Sequence, residues 1–380
     1  MTKEVTRYIK QKVQTELWAR SAGRCQFNGC NRILYQSPIT KEPVNISEKA
    51  HIYSFSENGP RGWGPLIWNK DELNSIDNLM LMCHDCHKKT DQDSDGVKYS
   101  ADLLQKWKRE HERRVVIVTG IDPSNKTHVV FYGANIGEQK SPIQKEETFQ
   151  SIFPRHYPVD DIPLLLSMDG SHEDKDEAYW STEVTHIEKV FNQKILPRIE
   201  ESSLAHFSVF AMAPMPLLIK LGTLFTDKIT VEVHQPIREP KTWQWQAPPD
   251  DFGFDISTPD TNYKNPVLIM SLSAKIDHDR IKEVLGEKVD IWEISTSEKF
   301  QHNDFLKSVE QLSIFRTGMR KLIGQIVASS GNETPLHIFP AMPIACSIEL
   351  GRVRMPKADM PWVIYDQNYK MKTFIKALQI

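Results

Sequence analysis

Two close cysteine pairs constrain this chain more than any other feature. Cys25 and Cys30 lie in GRCQFNGCNR, and Cys83 and Cys86 lie in CHDC. Thiolates at such spacings, on two turns that can converge, suit a tetrahedral structural Zn²⁺. No apolar run approaches the length that crosses a bilayer. The first residues, MTKEVTRYIKQKVQTELW, are polar and amphipathic, without the apolar core and cleavage site of a secretory signal. The expected location is therefore the cytoplasm, with no membrane partner, and in a reducing compartment such cysteines bind metal rather than each other. The fifth cysteine, Cys346, stands beside apolar residues and reads as core.

Zinc leaves His51, Asn78, His87 and Asp91 without a task. The segment EKAHIYSFS puts His51 in a strand-like run, and IDNLMLMC places Asn78 at the start of another. CHKKTD then enters a helix, with His87 and Asp91 four residues apart on one face. An imidazole and a carboxylate so placed can share one hard divalent cation. The loop ENGPRGWG follows His51 and offers Arg61 to a phosphate. His84, inside the CxxC turn, reads as exposed.

This order of residues resembles the HNH nuclease family. The carriers are AHI at Ala50–Ile52, GPRG at Gly59–Gly62, Asn78, and CHDCH at Cys83–His87, with RSAGRCQFNGC similar to the zinc-bearing entry of the family's Cys-rich branch. The resemblance covers about the first hundred residues. It implies an α+β fold of the ββα-metal kind, with His51 as the general base that activates water. It also implies that Asn78 orients that base or assists at the metal. His87 would bind the catalytic Mg²⁺, or Mn²⁺ or Ni²⁺ in its place, which stabilises charge on the scissile phosphate. One position departs from the family: Ala50 stands where many members carry an acidic or histidine metal ligand. Asp91 from the helix or Glu48 from the strand is expected to compensate.

The net charge is −3, so binding to double-stranded DNA requires a local basic surface rather than a basic whole. LLQKWKREHERRVV reads as an amphipathic helix carrying Lys106 and Arg109, either a solvated face or a DNA-backbone contact. Residues 1–115 form the expected nuclease domain. Residues 116–159 read as a connector, beginning with two strands around a Pro-Ser-Asn turn and continuing into a polar, proline-bearing stretch.

From residue 160 to 380, apolar runs such as HFSVFAMA, KITVEVH, NPVLIMSLS and VDIWEIS alternate with helical ones. The alternation predicts an α/β domain with a largely parallel sheet. This half also repeats itself. FAMAPMPLLIKLG, ending at Gly222, and FPAMPIACSIELG, ending at Gly351, match in Phe, Pro, Ile, Leu and Gly. Each is followed by a strand-like run ending in glutamine, Gln235 and Gln367. Two related strand–turn–helix units in one chain suit a ligand with two similar halves, bound where turns meet the carboxyl ends of parallel strands.

HIFPAMPIACSIELGRVRMPKADMPWVIYDQ, TWQWQAP and LIMSLSAKI resemble the SAVED domain. That resemblance implies two fused CARF-like Rossmann units that bind a cyclic di- or trinucleotide. The ligand residues expected on chemical grounds are Pro214, Met215, Met342 and Pro343 in the turns, and Ser271, Ser273 and Lys275 at a strand end. Arg352 and Lys357 would face phosphates, and Trp243 and Trp245 would either stack on a base or pack in the core. An HNH nuclease joined to SAVED looks like the DNA-degrading effector of CBASS anti-phage systems, which forms a homo-oligomer on activation. Two other readings stand beside it. One is a restriction-type HNH endonuclease whose second half reads DNA, and the other is a non-catalytic zinc and nucleotide-binding receptor.

Overall fold

A computed structural model describes residues 7–136, 143–168, 178–201, 205–368 and 371–380. The chain divides into two compact units, Met1–Asp122 and Pro123–Ile380. No helix among the described residues is long and apolar enough to cross a membrane.

The first unit contains α1 (Gln11–Ser21), β1 (Ser47–His51), β2 (Leu79–Cys83), α2 (His84–Asp91) and α3 (Ala101–Thr119). α1 stops at Ala22, whose left-handed backbone (φ 51°) turns the chain into the first cysteine pair. β1 and β2 pair antiparallel, with His51 opposite Leu79 and Ser47 opposite Cys83. Every residue of β2 is buried, and its apolar side chains join Leu17, Leu34, Ala50 and Leu104 in one small core. α2 begins directly after β2, so the strand delivers Cys83 to the helix amino terminus.

The second unit opens with β3 (Lys126–Gly133), α4 (Lys145–Ile152), β4 (Tyr157–Pro158), β5 (Leu164–Leu165), α5 (Tyr179–Lys194) and α6 (Leu196–Glu201). It continues with β6 (His206–Met212), α7 (Met215–Phe225), β7 (Thr230–Val233), β8 (Phe254–Ser257), β9 (Pro266–Ser271), α8 (His278–Leu285) and β10 (Asp290–Thr296). α9 (Val309–Ser330), β11 (Leu336–Ala341), α10 (Ile344–Arg352), β12 (Trp362–Asn368) and β13 (Thr373–Gln379) complete it. One sheet runs β4-β3-β6-β7, with β5 also on β3, and all its pairs are parallel. The other runs β13-β12-β11-β9-β10-β8, parallel from β12 to β10 and antiparallel at both edges.

The repeat has a structural meaning. β6–α7–β7 and β11–α10–β12 are each a strand, a turn with proline at the helix N-cap, a helix and an adjacent parallel strand. α7 and α10 pack on each other, and side chains from both sheets join one apolar core. β9, at the centre of its sheet, is buried at all six positions, as a strand covered on both faces must be.

The stretch read as a connector, 116–159, proves to be shared. Val116–Val118 do not begin a strand: they continue α3, which is capped by the Ser100 hydroxyl and meets no glycine until Gly120. A run of β-branched residues imitated a strand there. Lys126–Gly133 does form a strand, but it is an interior strand of the second unit's sheet and pairs with β6 along its length. Residues 137–142 of that stretch lie outside the described residues.

Candidate functional site

The four cysteine sulfurs of the first unit lie within 4.8 Å of one another. Cys30 Sγ and Cys83 Sγ are 3.9 Å apart. Sulfurs on one tetrahedral Zn²⁺, with bonds of about 2.3 Å, sit about 3.8 Å apart, so the set fits the ion. Burial pushes the Cys25 thiol up to about 12 and raises Cys86 as well. Four thiolates this close and this buried need a cation among them to be stable. The N–H of Cys83 donates to Cys25 Sγ at 3.3 Å, and the amino terminus of α2 adds its positive end.

His51 closes β1 and is half-buried, and its Nε2 is 3.0 Å from Asn74 Oδ1. Burial lowers its pKa, and the His87 charge adds to the effect against the opposing pull of Asn74 and Asp91. On α2, His87 Nε2 lies 3.4 Å from Asp91 Oδ2. The charges of His87 and Asp91 are felt at His51, and the His87 imidazole nitrogen with the Asp91 carboxylate oxygen is a donor pair that fits a divalent cation keeping other positions for water or phosphate. Of the two acids expected to replace the ligand missing at Ala50, Asp91 lies beside His87. Glu48 lies instead 3.6 Å from exposed His84, on the strand face it shares with buried Ala50.

Two residues of the nuclease motif bond to backbone. Asn78 is buried, and its carboxamide accepts from the Tyr53 N–H (2.7 Å) and donates to the carbonyls of Tyr53 (3.0 Å) and Leu73 (2.9 Å). It pins the loop beyond His51. Arg61 was expected at a phosphate. Its guanidinium instead donates to the carbonyls of Ile52, Thr90 and His51, tying the glycine loop to β1 and α2. Lys106 and Arg109 are exposed on α3, Lys106 loosely paired with Glu110 at 3.9 Å. Asn74 was missed because its link to His51 spans 23 residues and carries no local pattern.

In the second unit a cavity of about 980 Å³ opens at the carboxyl ends of β6 and β11. Both repeat turns line it through Pro214, Met215, Met342 and Pro343, and so do Gln235 and Gln367. The turns touch, with the Met342 N–H 3.4 Å from Met215 Sδ. Gln235 Oε1 accepts from the Ala345 N–H at 3.0 Å, joining one half to the other. Ser273 and Trp243 also line the cavity, as do Arg238 and Lys241, the latter paired with Glu147 at 2.8 Å.

The remaining expected contacts, Trp243 apart, lie elsewhere. Ser271 is buried and its hydroxyl accepts from the Ile276 N–H. Lys275 and Lys357 are exposed and do not line the cavity. Arg352 is buried and donates to the Thr226 and Ile229 carbonyls and to Glu349, so it braces the loop after α7. Trp243 and Trp245 do not share a strand face: Trp243 packs on Phe210 and Phe131, while Trp245 packs against the main core. Sequence reasoning missed Arg238 and Lys241, although KTWQWQAP begins with the second of them.

The family models match residues 187–380 to the SMODS-associated and fused to various effectors sensor domain, SAVED, and residues 25–94 to HNH endonuclease. The sequence matches no curated protein. Among solved structures, the Acinetobacter baumannii Cap4 SAVED/CARF-domain containing receptor is similar in its complexes with the cyclic trinucleotides 3'3'3'-cAAA and 2'3'3'-cAAA. Identity is 11% in both, TM-scores are 0.42 and 0.43, and each match covers 82% of this chain and 66% of that chain. The Moraxella osloensis Cap4 SAVED/CARF-domain containing receptor matches at 11% identity and a TM-score of 0.33, over 77% of this chain and 60% of that one. The chain thus spans less than two-thirds of the length of these receptors. Matched to the sensor domain over half its length, the chain belongs to the SAVED family, and it carries an HNH endonuclease domain ahead of that sensor.

Proposed function

We propose that this protein is a metal-dependent endonuclease for double-stranded DNA, switched on by a cyclic di- or trinucleotide, and that it serves as a CBASS-type anti-phage effector. The observation that carries this reading is the presence in one chain of the His87–Asp91 pair acting electrostatically on half-buried His51 and of a cavity walled by two related turns. His51 donates Nε2–H to Asn74, which leaves Nδ1 with a lone pair for the proton of the attacking water. His87 and Asp91 hold the divalent ion, which neutralises charge on the scissile phosphate when bound. Asn78 and Arg61 keep the loop beyond His51 in place, so the base stays positioned.

At about 980 Å³ the cavity is at the upper end of small-molecule sites, with room for a ligand larger than one nucleotide. Its paired turns suit two or three repeated units, and Arg238 and Lys241 suit phosphates. Activation requires tighter binding of the nucleotide to the active, self-assembled state than to the resting one. The test is plasmid cleavage with Mg²⁺, with and without a panel of cyclic di- and trinucleotides, beside His51→Ala. Cleavage that depends on one nucleotide and vanishes in the variant supports the reading. Cleavage without any nucleotide favours a restriction-type enzyme, and none under any condition favours a binding receptor.

A further inference from the structure

A second cluster of metal-competent side chains sits at the amino-terminal end of the five-stranded sheet, the end opposite the cavity. His206 opens β6, Glu232 lies on β7 beside Ser208, and His156 comes from the loop between α4 and β4. One ligand atom from each lies within 4.8 Å of the others. His156 Nδ1 is 3.8 Å from Glu232 Oε2, too far for a hydrogen bond, and this buried nitrogen has no hydrogen-bond partner among the described residues. The two imidazoles stack with centroids 3.9 Å apart.

His206 is already oriented. Its Nδ1 is 2.8 Å from Thr127 Oγ1, which is 3.0 Å from Ser208 Oγ. Fixing one ring nitrogen while the other stays available is how outer partners prepare a metal-binding histidine. Arg155 takes the other carboxylate oxygen of Glu232, at 2.6 Å, so Glu232 offers one. Burial pushes His206 down to about 4 and lowers His156 as well. At 3.8 Å, a close ion pair between His156 and Glu232 does not account for the cluster.

We propose that His156, His206 and Glu232 form a second metal site, separate from the cysteines, for a borderline divalent transition ion such as Zn²⁺. Two imidazoles and a carboxylate are a common donor set for that class. Tetrahedral ligand bonds of about 2.1 Å place donors about 3.4 Å apart, so the cluster closes on an ion with donor–donor shifts of up to about 1.4 Å and a turn of the stacked rings. The ion joins the loop after α4 to β6 and β7. α4 also carries Glu147 on the cavity wall, so the site anchors an element that shapes the cavity.

The test uses the full-length protein equilibrated with Zn²⁺, freed of unbound ion, and assayed for zinc per chain. Wild type is expected to hold one more zinc than His156→Gln or His206→Gln. Zinc addition is expected to raise the melting temperature of wild type more than that of either variant. Both variants keep the cysteines, His87 and Asp91, so the difference isolates this site. Equal zinc content in wild type and folded variants overturns the proposal. Should His206→Gln fail to fold, His156→Gln on the loop decides. Co²⁺ titration of wild type beside His156→Gln gives a second check: wild type is expected to bind one further equivalent without a sulfur-to-cobalt charge-transfer band, and equal uptake by the two overturns the proposal.

Discussion

Gly222 and Gly351, the last residues of the two repeats, face each other where α7 crosses α10. A Cβ on Gly222 would lie 1.9 Å from the Ile348 carbonyl oxygen, and one on Gly351 would lie 2.0 Å from the Ile219 carbonyl oxygen. The obstacle is backbone in both cases, so no side chain can swing aside. Gly222→Ala and Gly351→Ala are each expected to destabilise the second unit by about 3 kcal/mol or more, at the upper end of overpacking effects. Gly324→Ala on α9, where a Cβ meets nothing within 4 Å, is expected to stabilise by about 0.5–1 kcal/mol. Denaturant unfolding of the three variants checks this, and equal effects would disprove the close crossing.

Replacing any of the four clustered cysteines removes one donor from a site whose binding energy is also folding energy. Cys83→Ser is expected to release one zinc per chain and to unfold the first unit while the second still melts as in wild type. Zinc analysis with calorimetry measures both. Full zinc retention would show that the four sulfurs do not share an ion.

The pKa of His51 is lowered below its usual 6.5 chiefly by burial. A base works when neutral, so cleavage should rise through a midpoint below pH 6.5, and bound metal pushes that midpoint the same way. The folded unit should also lose stability as pH falls below 6.5, because the unfolded imidazole takes up the proton more readily. A pH–rate profile with a midpoint above 6.5 contradicts the assignment. His51→Ala is expected to slow cleavage by about 10²–10⁴-fold.

Asp91 stands beside His87 and is the carboxylate proposed for the working ion. Asp91→Ala is expected to raise the Mg²⁺ concentration for half-maximal cleavage by about tenfold or more, with little change in melting temperature, since Asp91 is exposed. An unchanged Mg²⁺ requirement would point to another ligand.

Arg61 and the pair Lys106 and Arg109 should separate in their effects. Arg61→Ala leaves carbonyls of Ile52 and Thr90 unpaired, so it is expected to lower the melting temperature of the first unit. Lys106→Ala and Arg109→Ala should leave melting unchanged and each reduce the salt slope of DNA binding by about one. A slope that drops with Arg61 instead would reverse the roles.

Local spacing was enough to reveal the clustered cysteines, the His87–Asp91 helix face, the parallel-sheet alternation and the repeat, because each depends on neighbours in the chain or on a pattern met twice. The tertiary structure decided what no local pattern carries. Arg352 and Arg61 read as phosphate ligands because a guanidinium in a sequence shows only its charge; folding spends both on buried carbonyl oxygens. Asn78 reads as a residue that orients the base or assists at the metal, and the fold shows its carboxamide bonded to the backbone of Tyr53 and Leu73. Lys126–Gly133 reads as connector until β6 pairs with it. Asn74 at His51, and His156 with His206 and Glu232, come together only across long separations, where the cost of closing the loop is met by the surrounding core rather than by any preference of the residues themselves.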